Sequence, residues 1–107
     1  LSREIGEITG ETADLLRELE SEATAIPETA MDALLADDSE EAVELANEAR
    51  SGIPKVDETA RDVDSKVREL DPQSAQILGR VVDSLSRTAD YGGNIAESAL
   101  QKAAPRP

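Results

Sequence analysis

The chain has 107 residues and a net charge of -13, from 24 acidic against 11 basic residues, with no histidine, cysteine or tryptophan. So few cations leave no basic stripe for phosphates, and the single aromatic, Tyr91, offers no stacking platform, which excludes direct nucleic-acid binding as a role of this segment. The lack of cysteine removes disulfides and thiol chemistry, and no apolar run reaches the length of a membrane span or signal peptide, so the expected location is cytoplasmic without membrane insertion.

The length suits one domain or one repeat unit, and a start at Leu1 without methionine points to a fragment of something larger. Large aliphatic residues are few, and alanine supplies much of the 38% hydrophobic content. Alanine seams let helices approach closely but bury little area each. At about 25 cal/mol per Å² the core is thin, and a second repeat, a homodimer or high salt would support it.

The first helix is expected over about 2–36. Ile5, Ile8, Thr12, Leu15, Leu19 and Ile26 follow the spacing of one face, and Pro27 interrupts the phase. Ala30, Met31, Leu34 and Leu35 then resume it, so the reading is one helix kinked at Pro27.

A second helix is expected over 39–70. Asp38 can cap it, with Glu41 three residues on in the reciprocal capping arrangement. Its seam is Ala42, Ala46, Ala49, Ile53, Val56, Ala60, Val63, Val67 and Leu70, with a bend where Pro54 follows Gly52.

A third helix is expected over 72–103, with Asp71 as cap and Pro72 in the first turn, where a missing N–H costs least. Its seam runs Ala75, Leu78, Val82, Leu85, Ala89, Gly92, Ala96, Ala99 and Ala103, and residues 104–107 form a frayed tail. Gly92 and Gly93 each cost roughly 1 kcal/mol in a helix relative to alanine, and the expectation is that they permit a close approach or a slight bend, with the tertiary contact offsetting their cost. Three long helices with short connections predict an all-α fold, an antiparallel up-down-up three-helix bundle.

A second line runs along the last helix. Asp83, Arg87, Asp90, Asn94 and Glu97 are spaced four, three, four and three, away from the alanine seam. On an arbitrary acidic helix such a line is a solvated face. The residue order "SRTADYGGNIAE" gives it more weight, because it resembles the signature of the PhoU family of phosphate uptake regulators, a run like E-R-I-x-D-H-A-x-N-I-A-E. Arg87, Asp90, Asn94, Ile95, Ala96 and Glu97 stand at the matching places, Gly92 takes the family's small residue, and Tyr91 resembles the archaeal branch. The specific match covers residues 72–101. The acidic, lysine-poor balance, three lysines to eight arginines, is similar to that of proteins from salt-loving archaea.

The resemblance implies one three-helix repeat of a cytoplasmic, non-enzymatic regulator, recruited to the membrane by contact with phosphate ABC transporter components or associated regulators. It also implies a second repeat or homodimer, and a divalent or iron cation held by an acidic pair one helical turn apart. Here that pair departs from the family pattern: Ser86 stands where the first acid would be, leaving Asp90 as the metal candidate, and Arg87 can pair with Asp83 or Asp90 instead. Glu28 with Asp32 and Glu58 with Asp62 have the same spacing but lie off the seams, as solvated acids do in so acidic a chain.

Other classes fit less well. An enzyme would need a carboxylate dyad in a pocket that raises one pKa, which a thin alanine core does not favour, and di-iron bundles need Glu-x-x-His pairs. A PhoU-like domain serving a potassium transporter would be marked by a ligand-binding domain downstream. A generic helical interaction module would tolerate substitution along the polar line. No glycine-rich cradle or arginine cluster suggests that phosphate itself binds.

Overall fold

The computed structural model describes residues 10–104. Their regular structure is all helical: α1 (Gly10–Leu35), α2 (Ser39–Ser51), α3 (Ile53–Val67) and α4 (Pro72–Ala103). The expected helix start near Ser2 and the seam positions Ile5 and Ile8 lie outside the described residues, as do residues 105–107 of the expected tail.

Helix starts follow local chemistry. Asp38 is extended (φ -92°, ψ 126°), and its carboxylate accepts from the Glu40 and Glu41 backbone N–H groups at 3.4 and 3.3 Å. Asp71 is extended too, and its carboxylate accepts from Ser74 N at 3.1 Å, with Pro72 opening the helix behind it. Each cap satisfies donors that an α-helix leaves unpaired at its N-terminus. α1 continues as one helix through Pro27.

The expected second helix runs as two segments, α2 and α3, that meet at Gly52, where the bend is expected, and it ends at Val67 rather than at 70. Pro54 has no N–H to give the Arg50 carbonyl, and its ring would press on that carbonyl, so the helix is interrupted just before it, at Gly52. Gly52 nevertheless keeps a right-handed helical backbone (φ -79°, ψ -17°), and bonds from Gly52 N to Ala49 O and from Val56 N to Gly52 O carry the chain across.

The irregular points of all the helices meet at one level. A Cβ built on Gly92 would stand 2.6 Å from the Ile26 Cγ2 and 2.6 Å from the Pro27 backbone nitrogen, and one on Gly52 would stand 3.2 Å from the Ile26 Cγ1. Ile26 is thus held between two glycines, one from the α2–α3 junction and one from α4. This answers the expectation of a close contact at Gly92. Gly93, absent from the expected seam, is buried as well, against the Ile53 side chain.

Buried side chains change character across this level. On one side Leu19, Val56, Val63, Val67, Leu78 and Val82 are buried alongside Ala23, Ala60 and Ala89; on the other the buried apolar side chains are Ala30, Ala33, Ala42, Ala46, Ala49, Ala96 and Ala99, with half-buried Leu34, Leu45 and Leu100 packed around them. The α1 seam beyond Pro27 differs from expectation: Ala30 and Ala33 are buried, while Met31 is 42% and Leu35 69% exposed. Continuous helical phase through Pro27 accounts for this, since Ala23, Ile26, Ala30 and Ala33 keep one face.

Two long-range contacts connect the helix ends. Lys66 near the end of α3 forms an ion pair with Glu11 at the start of α1. Lys102 Nζ near the end of α4 donates to the Leu34 carbonyl at 2.8 Å, satisfying an acceptor in the last turn of α1. The molecule measures 57 × 22 × 20 Å.

Candidate functional site

α4 buries Leu78, Val82, Ala89, Gly92, Gly93, Ala96 and Ala99. That orientation turns Asp83, Arg87, Asp90, Asn94 and Glu97 outward, and all five are exposed. Within the line Arg87 Nη2 donates to Asp83 Oδ2 at 2.6 Å, one turn apart. Both side chains are largely in water, so the pair contributes a few tenths of a kcal/mol and chiefly fixes where the guanidinium sits. Ser98 Oγ donates to the Asn94 carbonyl at 3.2 Å, leaving the Asn94 amide clear of that bond. Tyr91, the single aromatic, is 65% exposed. Its ring is offered to solvent.

The donor set around Asp90 does not suit a metal ion. One turn before it stands Ser86, a half-buried hydroxyl, and the cationic Arg87 lies three residues away. Among the described residues no group of three or more Asp, Glu, His or Cys side chains converges to hold a cation. Asp90 supplies one carboxylate, fewer than hard cations ordinarily recruit. The spaced acid pairs elsewhere lie on open surface: Glu28 and Asp32 flank a shallow depression with Pro27 and Met31, and Glu58 pairs with Lys55 at 3.9 Å.

Among the described residues two titrating groups are displaced, both at structural joints. The hydrogen bond from Ser74 and its backbone N–H hold the Asp71 carboxyl below the usual aspartate value, and the Lys66 ammonium is raised by its hydrogen bond to Glu11 and the charge of that carboxylate.

Sequence spacing picks out the polar line, whose five residues are all exposed on α4. It missed a second stripe on α4, Val81, Ser84, Thr88, Tyr91, Ile95 and Ser98, which is uncharged and spaced three, four, three, four and three. The same periodicity would have found it had small polar residues been counted with apolar ones. No helix among the described residues is long and apolar enough to cross a membrane. No protein-family model, no curated protein and no solved structure matches the chain.

Proposed function

We propose that this chain is a PhoU-like three-helix repeat, arranged antiparallel up-down-up, that regulates phosphate uptake and phosphate signalling without catalysis. It does so by docking on a phosphate ABC transporter component or its associated regulator. The observation that carries the reading is the exposed line Asp83, Arg87, Asp90, Asn94 and Glu97, whose residue order resembles the family signature and whose side chains face solvent. The arrangement is supported by the contacts of Glu11 with Lys66, Ile26 with Gly52 and Gly92, and Leu34 with Lys102, which run α1 alongside α4 and against α2 and α3.

The pairing of a carboxylate, a guanidinium and an amide along one line suits recognition of a polar protein surface, where such groups set register and specificity. The test is capture of the transporter ATPase subunit by the wild-type chain and by an Asp90→Ala, Asn94→Ala double variant. The double variant is expected to keep its stability within about 0.5 kcal/mol, because both positions are exposed, and to lose capture. Undiminished capture would remove this surface from the mechanism.

A further inference from the structure

We infer that α2 is a lid, which detaches from α1 and α4 and unwinds as one unit, hinged at Gly52, while the other three helices stay packed. α2 lies between the turn at 36–38 and Gly52, so it runs beside the part of α1 beyond Ile26, and it packs on both α1 and α4. It covers Ala30, Ala33, Ala96 and Ala99, each at most 1% exposed, and of its own residues it buries Ala42, Ala46 and Ala49, with Leu45 half-buried beside them. Alanine on both sides gives close contact but little area, so this cover is held less firmly than α3, which buries Val56, Val63 and Val67. A space of about 50 Å³ already separates the start of α2 from the end of α4, bordered by Ala42, Ala99 and Lys102.

Polar ties and charge mark out the same unit. Among the described residues, α3 is tied to α1 by Lys66 and Glu11, and α4 to α1 by Lys102 and the Leu34 carbonyl. The side-chain bonds at α2 are local instead: the Asp38 cap at its start, and Ser51 Oγ donating to the Glu48 carbonyl at its end. Glu40, Glu44 and Glu48 stand exposed at four-residue spacing, so like charges repel along the helix, and Arg50 is its single cation. With 13 residues, α2 falls in the range of roughly 12–15 below which an isolated helix is marginal in water, so off the bundle it unwinds. Unwinding stops at Gly52, because Ile26 is lodged between Gly52 and Gly92, and Ile53 packs against Gly93. Salt screens the carboxylates and favours the closed lid. Opening bares the alanine seam of α1 and α4 and leaves the polar line of α4 in place, so this inference does not rest on the regulatory reading.

The test uses the absence of cysteine from the 107-residue chain, so that a single introduced thiol reports on one place. Three variants are compared, all at fully buried positions: Ala46→Cys in α2, Ala96→Cys beneath it on α4, and Val63→Cys in α3. Each is labelled with a disulfide reagent under native conditions, at concentrations where labelling is slower than reclosing, and its global unfolding constant comes from its own denaturant titration. Expected are equal opening constants for Ala46→Cys and Ala96→Cys, at least ~10-fold above their global constants and lowered by salt, with Val63→Cys opening only at its global constant. In the unsubstituted chain, the amides of α2 should share one opening whose denaturant dependence is smaller than that of α3. The inference is overturned if all three thiols open only at their global constants, if Ala46→Cys opens without Ala96→Cys, or if salt promotes opening. Amide protection that grades smoothly along α2 from the turn to Gly52 overturns it as well, because it would show fraying in place of a unit.

Discussion

Gly92 and Pro27 meet backbone against backbone, with room for a hydrogen but none for a methyl group: an added Cβ would lie 2.6 Å from the Pro27 nitrogen. Glycine's local helix penalty is offset here by the approach of two main chains. Gly92→Ala is expected to destabilise the fold by about 1–2 kcal/mol, because overpacking exceeds the gain in helix propensity. Gly79→Ala, with nothing within 4 Å of the added Cβ, should stabilise it by about 0.5–1 kcal/mol. Denaturant midpoints of the two variants check the opposite signs; a neutral or stabilising Gly92→Ala would contradict the close contact.

Gly93→Ala tests the same region more gently. Its Cβ would meet only the Cδ1 of Ile53 at 2.9 Å, the far end of a side chain that can rotate away. A change within about 0.5 kcal/mol is expected, as propensity and crowding offset each other. A loss as large as that of Gly92→Ala, measured in the same titration, would show that Ile53 is rigidly held.

Asp71 couples the start of α4 to pH. Its folded-state pKa is lowered by the Ser74 bonds, so its stabilising contribution is present above the unfolded value of 3.8 and is lost as pH falls through the lower folded value. Asp71→Ala should lower the thermal midpoint at neutral pH and shrink its difference from wild type in acid. Parallel melting curves of the two proteins across that range would argue against the cap.

The Lys66 contribution has the opposite sign. Its pKa is raised by Glu11, so the stabilisation is fully present below the unfolded value of 10.5 and lost as pH rises through the higher folded value. Both groups are solvent-exposed, and salt should weaken the coupling between them. A double-mutant cycle with Lys66→Met and Glu11→Gln, run at low and high salt, measures this; equal coupling at both would require a less exposed pair.

Unequal filling of the core predicts unequal protection. Leu19→Ala, at a fully buried position, should cost about 2–5 kcal/mol. Amides of α2, whose buried residues are Ala42, Ala46 and Ala49, should exchange with solvent faster than those of α3, which buries Val56, Val63 and Val67. Hydrogen exchange read by mass spectrometry separates the two segments, and uniform protection would mean the half-buried leucines around the alanines carry as much as the valines.

The strongest local signals were the ones sequence could read. Asp38 and Asp71 cap where their spacing to the next backbone donors requires, and α4 takes Pro72 and the alanine seam as expected. Pro27 and Pro54 were harder to tell apart. Both remove a donor, but Pro27 lies in a helix pinned on α4, whereas Pro54 follows Gly52, and the break falls at the glycine. Met31 and Leu35 misled because their apolar character outweighed two alanines in the pattern, although the alanines are what fit where helices crowd. For the polar line, periodicity gave its alignment and its exposure, while the identity of a partner lies in chemistry beyond one chain.

Ile26, lodged between Gly52 and Gly92, acts as an alignment key. Sliding α4 by one turn, about 5.4 Å, would set Thr88 or Ala96 against the Ile26–Pro27 main chain, where no Cβ fits. The long helices consequently have one permitted register. Residues can be gained or lost in the turns at 36–38 and 68–71 without disturbing it, but a single-residue insertion between Ile26 and Leu35, or between Gly92 and Ala103, displaces everything distal to the key and must be matched on the neighbouring helix.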